Sequence, residues 1–256
     1  MAKATALITG ASSGIGRELA ECCAAQGNDV ILVARRLSEL EALAGSLARE
    51  HGVSARPLAA DLADPAAPPA IFDAAGPVDI LINNAGFGLL GAFAQTDWQV
   101  EARMIQVNVT ALAHLTKLYL PGMIERRSGR ILNVASTAAF VAGPYMAMYY
   151  ATKALVFSFT LAIAAELEGT GVTATALCPG PTATQFAEVA GNAASKLFKG
   201  PAMSAADVAK EGFSAMMAGK PEAIAGSRNR WMIWGMRFAP RRTLTGIAKR
   251  LNSPGP

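Results

Sequence analysis

Thr9-Gly10-Ala11-Ser12-Ser13-Gly14-Ile15-Gly16 is the stretch whose reading decides the fold. It follows the apolar run Ala4–Thr9 and leads into a segment of helical period, Ile15–Gln26. Glycine allows a tight turn and close approach of a ligand to the backbone, and a helix N-terminus favours negative charge. Placed between a strand and a helix, these glycines read as a turn that holds the phosphates of a dinucleotide. A plain strand-to-helix turn with no ligand is the alternative.

Outward from that turn, short apolar runs alternate with helical segments. The runs are Ala4–Thr9, Val30–Ala34, Ala55–Ala59, Asp79–Ile82, Arg130–Val134 and Thr173–Leu177, with Ile224-Ala225-Gly226 as a candidate last strand. Helices are predicted over Ile15–Gln26, Ser38–His51, Pro65–Ala75, a long pair from Asp97 to Arg127, Tyr149–Glu168 and Ala205–Ala218. Strands that are apolar throughout imply a parallel sheet covered on both faces. Right-handed crossovers then give an α/β, doubly wound Rossmann-type sheet of about seven strands. Residues 1–222 form the dinucleotide-binding catalytic domain, and 223–256 a basic, aromatic-containing extension packed on it or projecting from it. Gly180–Gly200 reads as a flap.

The charge is unevenly placed. The 256 residues carry a net +4, but Arg228, Arg230, Arg237, Arg241, Arg242, Lys249 and Arg250 fall after Glu222 with no acidic residue among them. Without those seven cations, 16 basic residues face 19 acidic ones and residues 1–222 stand at −3. A general affinity for nucleic acid is therefore not expected. The apolar share of 52% excludes a disordered chain, and no apolar run has the length of a membrane span. Three cysteines, two of them adjacent (Cys22, Cys23), make neither a disulfide framework nor a metal-ligand spacing, so no metal is expected. The expected compartment is the cytoplasm.

The spacing Gly10-x-x-x-Gly14-x-Gly16 resembles that of the short-chain dehydrogenase/reductase family. Other stretches agree in order: Asn83-Asn84-Ala85-Gly86, Ser136, Tyr149-x-x-x-Lys153, and Pro179-Gly180-Pro181-Thr182-Ala183-Thr184. The resemblance covers about residues 4–220. It implies cofactor contacts from Thr9, Gly10, Ser12, Ser13, Gly14, Ile15 and Gly16 in the first turn. It implies others from Asp61 and Leu62 at the adenine, Asn84, Ala85 and Gly86 by the ribose, and Pro179, Gly180, Thr182 and Thr184 at the carboxamide. The second strand ends Val33-Ala34-Arg35-Arg36, without the carboxylate that accepts bonds from an NAD ribose. Arg35 holds the position suited to a 2′-phosphate, so the expected cofactor is NADP(H). Arg36 is read as a surface residue.

Tyr149 and Lys153 are one helical turn apart on one face. A nearby ammonium favours the phenolate and would bring the tyrosine toward working pH. Ser136, at the carboxyl end of a parallel strand, can donate to a substrate oxygen. By the resemblance, Ser136 polarises the carbonyl, Tyr149 donates the proton, Lys153 also binds the nicotinamide ribose, and Asn108 anchors a water relay. Tyr150 breaks the four-residue spacing and is assigned to packing or the pocket wall. His51 and His114 fit no hydrolase triad and are read as structural. The expected substrate is a small-molecule ketone or secondary alcohol of lipophilic character, because Phe87, Leu89, Leu90, Phe140, Tyr145, Met146, Met148, Phe186 and Phe198 fall where a pocket is expected. Alternatives are a 3-oxoacyl reductase acting on carrier-protein or CoA thioesters, and a non-enzymatic dinucleotide-sensing scaffold.

The family also implies a homodimer or homotetramer. Within residues 228–251, basic and large apolar residues interleave, and Pro240 predicts two helices. Three readings stand for this tail: closure of the pocket or packing on a second subunit, peripheral membrane contact, and docking of an acidic carrier.

Overall fold

A computed structural model describes residues 3–191 and 202–253. Seven parallel strands form its centre: β1 (Thr5–Thr9), β2 (Asp29–Ala34), β3 (Ala55–Ala59), β4 (Ile80–Asn83), β5 (Gly129–Val134), β6 (Val172–Cys178) and β9 (Glu222–Ile224). Their spatial order is β3-β2-β1-β4-β5-β6-β9. A separate parallel pair joins β7 (Thr182–Ala183) to β8 (Met203–Ser204). The helices are α1 (Gly14–Ala25), α2 (Leu37–His51), α3 (Ala67–Ala75), α4 (Trp98–Ile105), α5 (Leu112–Glu125), α6 (Ala147–Glu166), α7 (Phe186–Val189), α8 (Ala205–Met217), α9 (Ser227–Met236) and α10 (Arg241–Asn252).

The alternation of side chains along each strand divides the core in two. From β1, Ala6 and Ile8 enter a core shared with Leu19 of α1, Leu40 and Leu47 of α2, and Val208 of α8. Leu7 points the other way, to Ile71 of α3, Leu115 and Met123 of α5, and Ile163 of α6. Both faces are covered, which is why the strands read as continuous apolar runs. α6 is long and apolar enough to cross a membrane, but Val156 and Thr160 within it are fully buried, and it packs along β6.

Several boundaries move from their expected places. α3 starts at Ala67 rather than Pro65, with prolines in its first turn, where a missing N–H costs nothing. The expected pair between Asp97 and Arg127 is one continuous run, α4 to α5, joined by a π-helical segment at Gln106–Ala111. The last strand comes slightly earlier than Ile224-Ala225-Gly226, and its pairing with β6 puts Ala223 and Ile224 inside the sheet. The division at residue 222 therefore cuts a strand, and the added segment begins with α9. Of the expected flap, 182–189 holds β7 and α7, and Phe198 lies outside the described residues.

Candidate active site

Strand order reverses between β1, which continues to β2, and β4, which continues to β5. The segments leaving the carboxyl ends of two such strands diverge and open a crevice. A single cavity of ≈ 1020 Å³ occupies it and runs from Arg35 past Tyr149 to Leu251.

At one end lies the glycine turn. Gly10 and Gly14 have φ of 67° and 56°, the left-handed region that glycine adopts freely. A Cβ on Gly16 would stand 2.3 Å from the Gly10 carbonyl oxygen and 2.3 Å from Asn84 Nδ2. Asn84 reaches across to donate to the carbonyls of Thr9 (2.9 Å) and Gly10 (3.3 Å). The Thr9 hydroxyl accepts from the backbone N–H groups of Asn84 (3.0 Å) and Ala85 (3.1 Å). Thr9 and Gly16 thus fix the turn from behind, while Gly10, Ser12, Ser13, Gly14 and Ile15 face the cavity. Ser13 precedes α1 without capping it, and the first turn holds no acidic residue. The free N–H groups there suit an anion.

The two arginines after β2 differ in their engagement. Arg36 pairs with Glu39 at 2.8 Å and donates to Ser12 Oγ at 3.3 Å. Among the described residues, Arg35 has no hydrogen-bond or ion-pair partner, and it lines the cavity. Asp61, Leu62, Asn84, Ala85, Gly86, Pro179, Gly180, Thr182 and Thr184 line it as well. The residues present fit a nicotinamide dinucleotide: an unfilled glycine cradle, an open helix N-terminus and an uncommitted guanidinium.

Further along, Ser136, Tyr149 and Lys153 share the wall. Ser136 follows β5, where its hydroxyl accepts from Ala138 N–H (3.1 Å) and lies against the Tyr149 phenol. Lys153 is buried and donates to the Val134 carbonyl at 2.7 Å, with Nζ 6.0 Å from the Tyr149 ring centre. Burial lowers the ammonium to about 8. Burial also raises the Tyr149 phenol well above its ordinary value, with the Ser136 hydrogen bond opposing that shift and Tyr150 adding to it. Burial thus acts on Tyr149 against the lowering expected from Lys153. Lys153 donates to a carbonyl, and loss of water is the largest influence on the phenol.

Asn108 stands behind this wall rather than on it. It is 1% exposed, within the π-helical segment. Its Oδ1 accepts from Phe87 N–H (3.0 Å), and its Nδ2 donates to Phe87 O (2.9 Å) and Thr152 Oγ1 (3.1 Å). It therefore ties the loop after β4 to α6 at the residue before Lys153. Asn83 is likewise inside, donating to Thr116 and Asn133. A Cβ on Gly86 would meet Asn108 Oδ1 at 3.0 Å and Lys153 Nζ at 3.4 Å, so both approach that glycine.

The family model described as short chain dehydrogenase matches residues 4–194. The chain belongs to the short chain dehydrogenase family. A short chain dehydrogenase of Pseudocercospora fijiensis is 40% identical over 188 residues, which are 71% of this chain and 60% of that relative's own length. A short-chain dehydrogenase from Sphingobium yanoikuyae, solved in complex with NADPH, is 32% identical, with TM-score 0.83 and 95% of both chains covered. One from Burkholderia phymatum, solved in complex with NAD, is 27% identical, with TM-score 0.82 and 91% and 92% covered. Both cofactors thus occur among the solved short-chain dehydrogenases similar to this one.

Beyond the family motifs, α9 and α10 wall the far end of the cavity with Met232, Met236, Leu244, Ile247, Ala248 and Leu251. Asn252 is 1% exposed and pins α10: it donates to the Pro144 carbonyl (3.1 Å) and shares a hydrogen bond with the Tyr150 hydroxyl. Sequence reasoning missed Asn252. It lies 102 residues from its partner, and no local spacing points to that contact. Phe87, Leu89, Met146 and Phe186 line the cavity as expected. Leu90 and Met148 pack behind them, Phe140 stacks on Phe157, and Tyr145 is set back with φ of 66°. His51 lies instead with Glu21 and Glu50, away from the cavity lining, and His114 is exposed on α5.

Proposed function

We propose that this short-chain dehydrogenase transfers hydride between NADP(H) and a lipophilic ketone or secondary alcohol. The observation that carries this reading is the composition of the cavity's two ends: an unpartnered Arg35 with no carboxylate at the end of β2, and a far wall of methionine, leucine, isoleucine and phenylalanine. A bound nicotinamide supplies hydride to the substrate carbon or receives it. In the reductive direction Ser136 donates to the substrate oxygen as charge develops there, and Tyr149 gives it the proton. Lys153 holds positive charge beside the ribose and phenol. Asn108 acts through Phe87 and Thr152 to hold the loop after β4 against α6.

NADPH should raise the melting temperature far more than NADH at equal concentration. Arg35→Ala should erase most of that difference, weakening NADPH by about 10- to 150-fold, the worth of a charge-assisted hydrogen bond, while NADH binding barely changes. Equal protection by the two cofactors in the native chain would overturn the preference. Reduction of a panel of ketones, sugars and 3-oxoacyl thioesters, followed by NADPH absorbance, tests the substrate class. A preference for polar sugars would refute the lipophilic reading.

The raised Tyr149 pKa sets the pH dependence. Reduction needs the phenol protonated, and burial keeps it so, so the reductive rate should stay level through neutral pH. Oxidation needs the phenolate, so the alcohol-oxidising rate should climb as pH rises into the alkaline range. Stopped-flow hydride transfer in both directions across pH checks both signs, and an oxidation rate that falls with alkalinity would contradict the assignment.

The reading includes a homodimer or homotetramer, since Leu155 on α6 remains 47% exposed on an apolar helix. Light scattering of the purified chain tests it. A reducing cytoplasmic setting accords with Cys22, Cys23 and Cys178 being free.

A further inference from the structure

The tail helices are apolar on two sides. Their inner side completes the cavity, as described. On the outer side, Trp231, Trp234 and Phe238 are 71%, 54% and 74% exposed. They form one continuous aromatic row, with ring centres 5.8 and 5.1 Å apart. None of the three lines the cavity. Burial of such rings normally drives folding, and an exposed row of this kind marks a surface that meets something else.

Charge narrows what that partner is. All seven cations of α9, α10 and their junction are exposed, and no acidic residue lies between 223 and 256. Glu211 neutralises Arg230 at 3.0 Å. Arg228, Arg237, Arg241, Arg242, Lys249 and Arg250 form no ion pair among the described residues. On α10 the division is by face: Leu244, Ile247, Ala248 and Leu251 go to the cavity, while Arg241, Arg242, Lys249 and Arg250 are exposed. A two-fold contact of this cationic face with the same face of a second copy would set cation against cation, which is repulsive. An anionic bilayer takes both features at once, with aromatic rings at headgroup depth and guanidinium groups at phosphates.

We propose that the outer face of α9 and α10 docks on an anionic phospholipid surface. Met232, Ile247 and Leu251 line the cavity yet remain 43%, 50% and 38% exposed, so apolar side chains also rim its mouth within the same two helices. A lipophilic substrate can then enter from the bilayer without crossing water. This last point rests on the proposed substrate class, whereas the docking itself does not.

The test is co-sedimentation of the full chain with vesicles of phosphatidylcholine alone and of phosphatidylcholine with phosphatidylglycerol, at low and high salt and without substrate. Binding should require phosphatidylglycerol and weaken with salt. Arg241→Glu/Arg242→Glu/Lys249→Glu should lower partitioning by at least fivefold per position, from about 1 kcal/mol for each cation. Trp231→Ser/Trp234→Ser/Phe238→Ser should abolish binding while leaving NADPH binding and turnover of a water-soluble ketone unchanged, because these residues touch neither end of the cavity. Tryptophan emission of the native chain should shift to shorter wavelength on anionic vesicles only. Absence of binding at low salt, or binding indifferent to the aromatic variant, would overturn the proposal. So would an aromatic variant that turns a dimer into a monomer, which would assign the face to a second copy. Failure of the ketone panel would leave the vesicle result standing and remove only the route of substrate entry.

Discussion

Tyr149→Phe should reduce kcat by roughly 10²- to 10⁴-fold, the usual worth of a positioned general acid, while NADPH still binds within a few-fold of its native affinity. The substitution removes one hydroxyl from a buried ring and adds no volume. The ring packs 5.2 Å from Phe186 and 6.0 Å from Tyr150, and those aromatic contacts survive. Ser136 keeps its bond from Ala138 and Lys153 its carbonyl at Val134, so the remaining groups hold their places. What is lost is the proton donor and its hydrogen bond with Ser136. Single-turnover hydride transfer and NADPH titration on the same preparation separate the two quantities. Retained turnover would remove Tyr149 from its role, and joint loss of binding would mean that the chamber had been disturbed.

Gly16→Ala should damage both the fold of the glycine turn and cofactor binding. The new Cβ would lie 2.3 Å from the Gly10 carbonyl oxygen and 2.9 Å from its carbon, with Asn84 Nδ2 also at 2.3 Å. Contacts this short cannot be relieved by rotating a side chain, because two of the three atoms are backbone. The phosphate turn and the Asn84 bridge must both shift. Overpacking of this kind costs about 1–3 kcal/mol and occasionally more. Here the displaced atoms also frame the cofactor site. The expected outcome is a lowered melting temperature together with loss of the thermal protection that NADPH gives the native protein. Gly246→Ala, on α10 with nothing near its Cβ, should lower neither the melting temperature nor the protection by NADPH. A Gly16 variant that melts and binds like the native chain would disprove the steric account.

The parts that were legible from sequence are those fixed by local spacing. The turn from Thr9 to Gly16 follows from its glycines and the break between α9 and α10 from Pro240. The one-turn separation of Tyr149 and Lys153 and the apolar strands follow from periods of 3.6 and two residues. What escaped depends on contacts distant in sequence or on a shift in helical pitch. Nothing in Gln106–Ala111 announces a π-helical segment, which reads as helix in any window. Asn108 could be placed at a family position, but its hydrogen bonds to Phe87 and Thr152 require the loop and α6 to be packed first. The tail showed the same limit. Its interleaved composition was visible, but the sorting of apolar groups into an inner wall and an outer aromatic row exists only once α9 and α10 are laid over the cavity.

The effect of burial on Tyr149 was not legible for a related reason. Spacing places Lys153 beside the phenol but says nothing of how dry the chamber is. With both groups buried, desolvation acts on each in the direction of its neutral form, lifting the phenol and lowering the ammonium.

The attachment of Asn252 to Tyr150 and Pro144 has a consequence for how the molecule breathes. The two apolar cores hold the sheet from β3 to β6, and neither includes a residue of α9 or α10. The wall over the chamber is held instead by β9, by the buried Ile233 and Ala248, and by the buried amide of Asn252. Segments held outside the main cores open by subglobal unfolding at a free energy well below that of the whole domain. An opening of this kind would break the bonds of Asn252 to Tyr150 and Pro144 while leaving the nucleotide half folded.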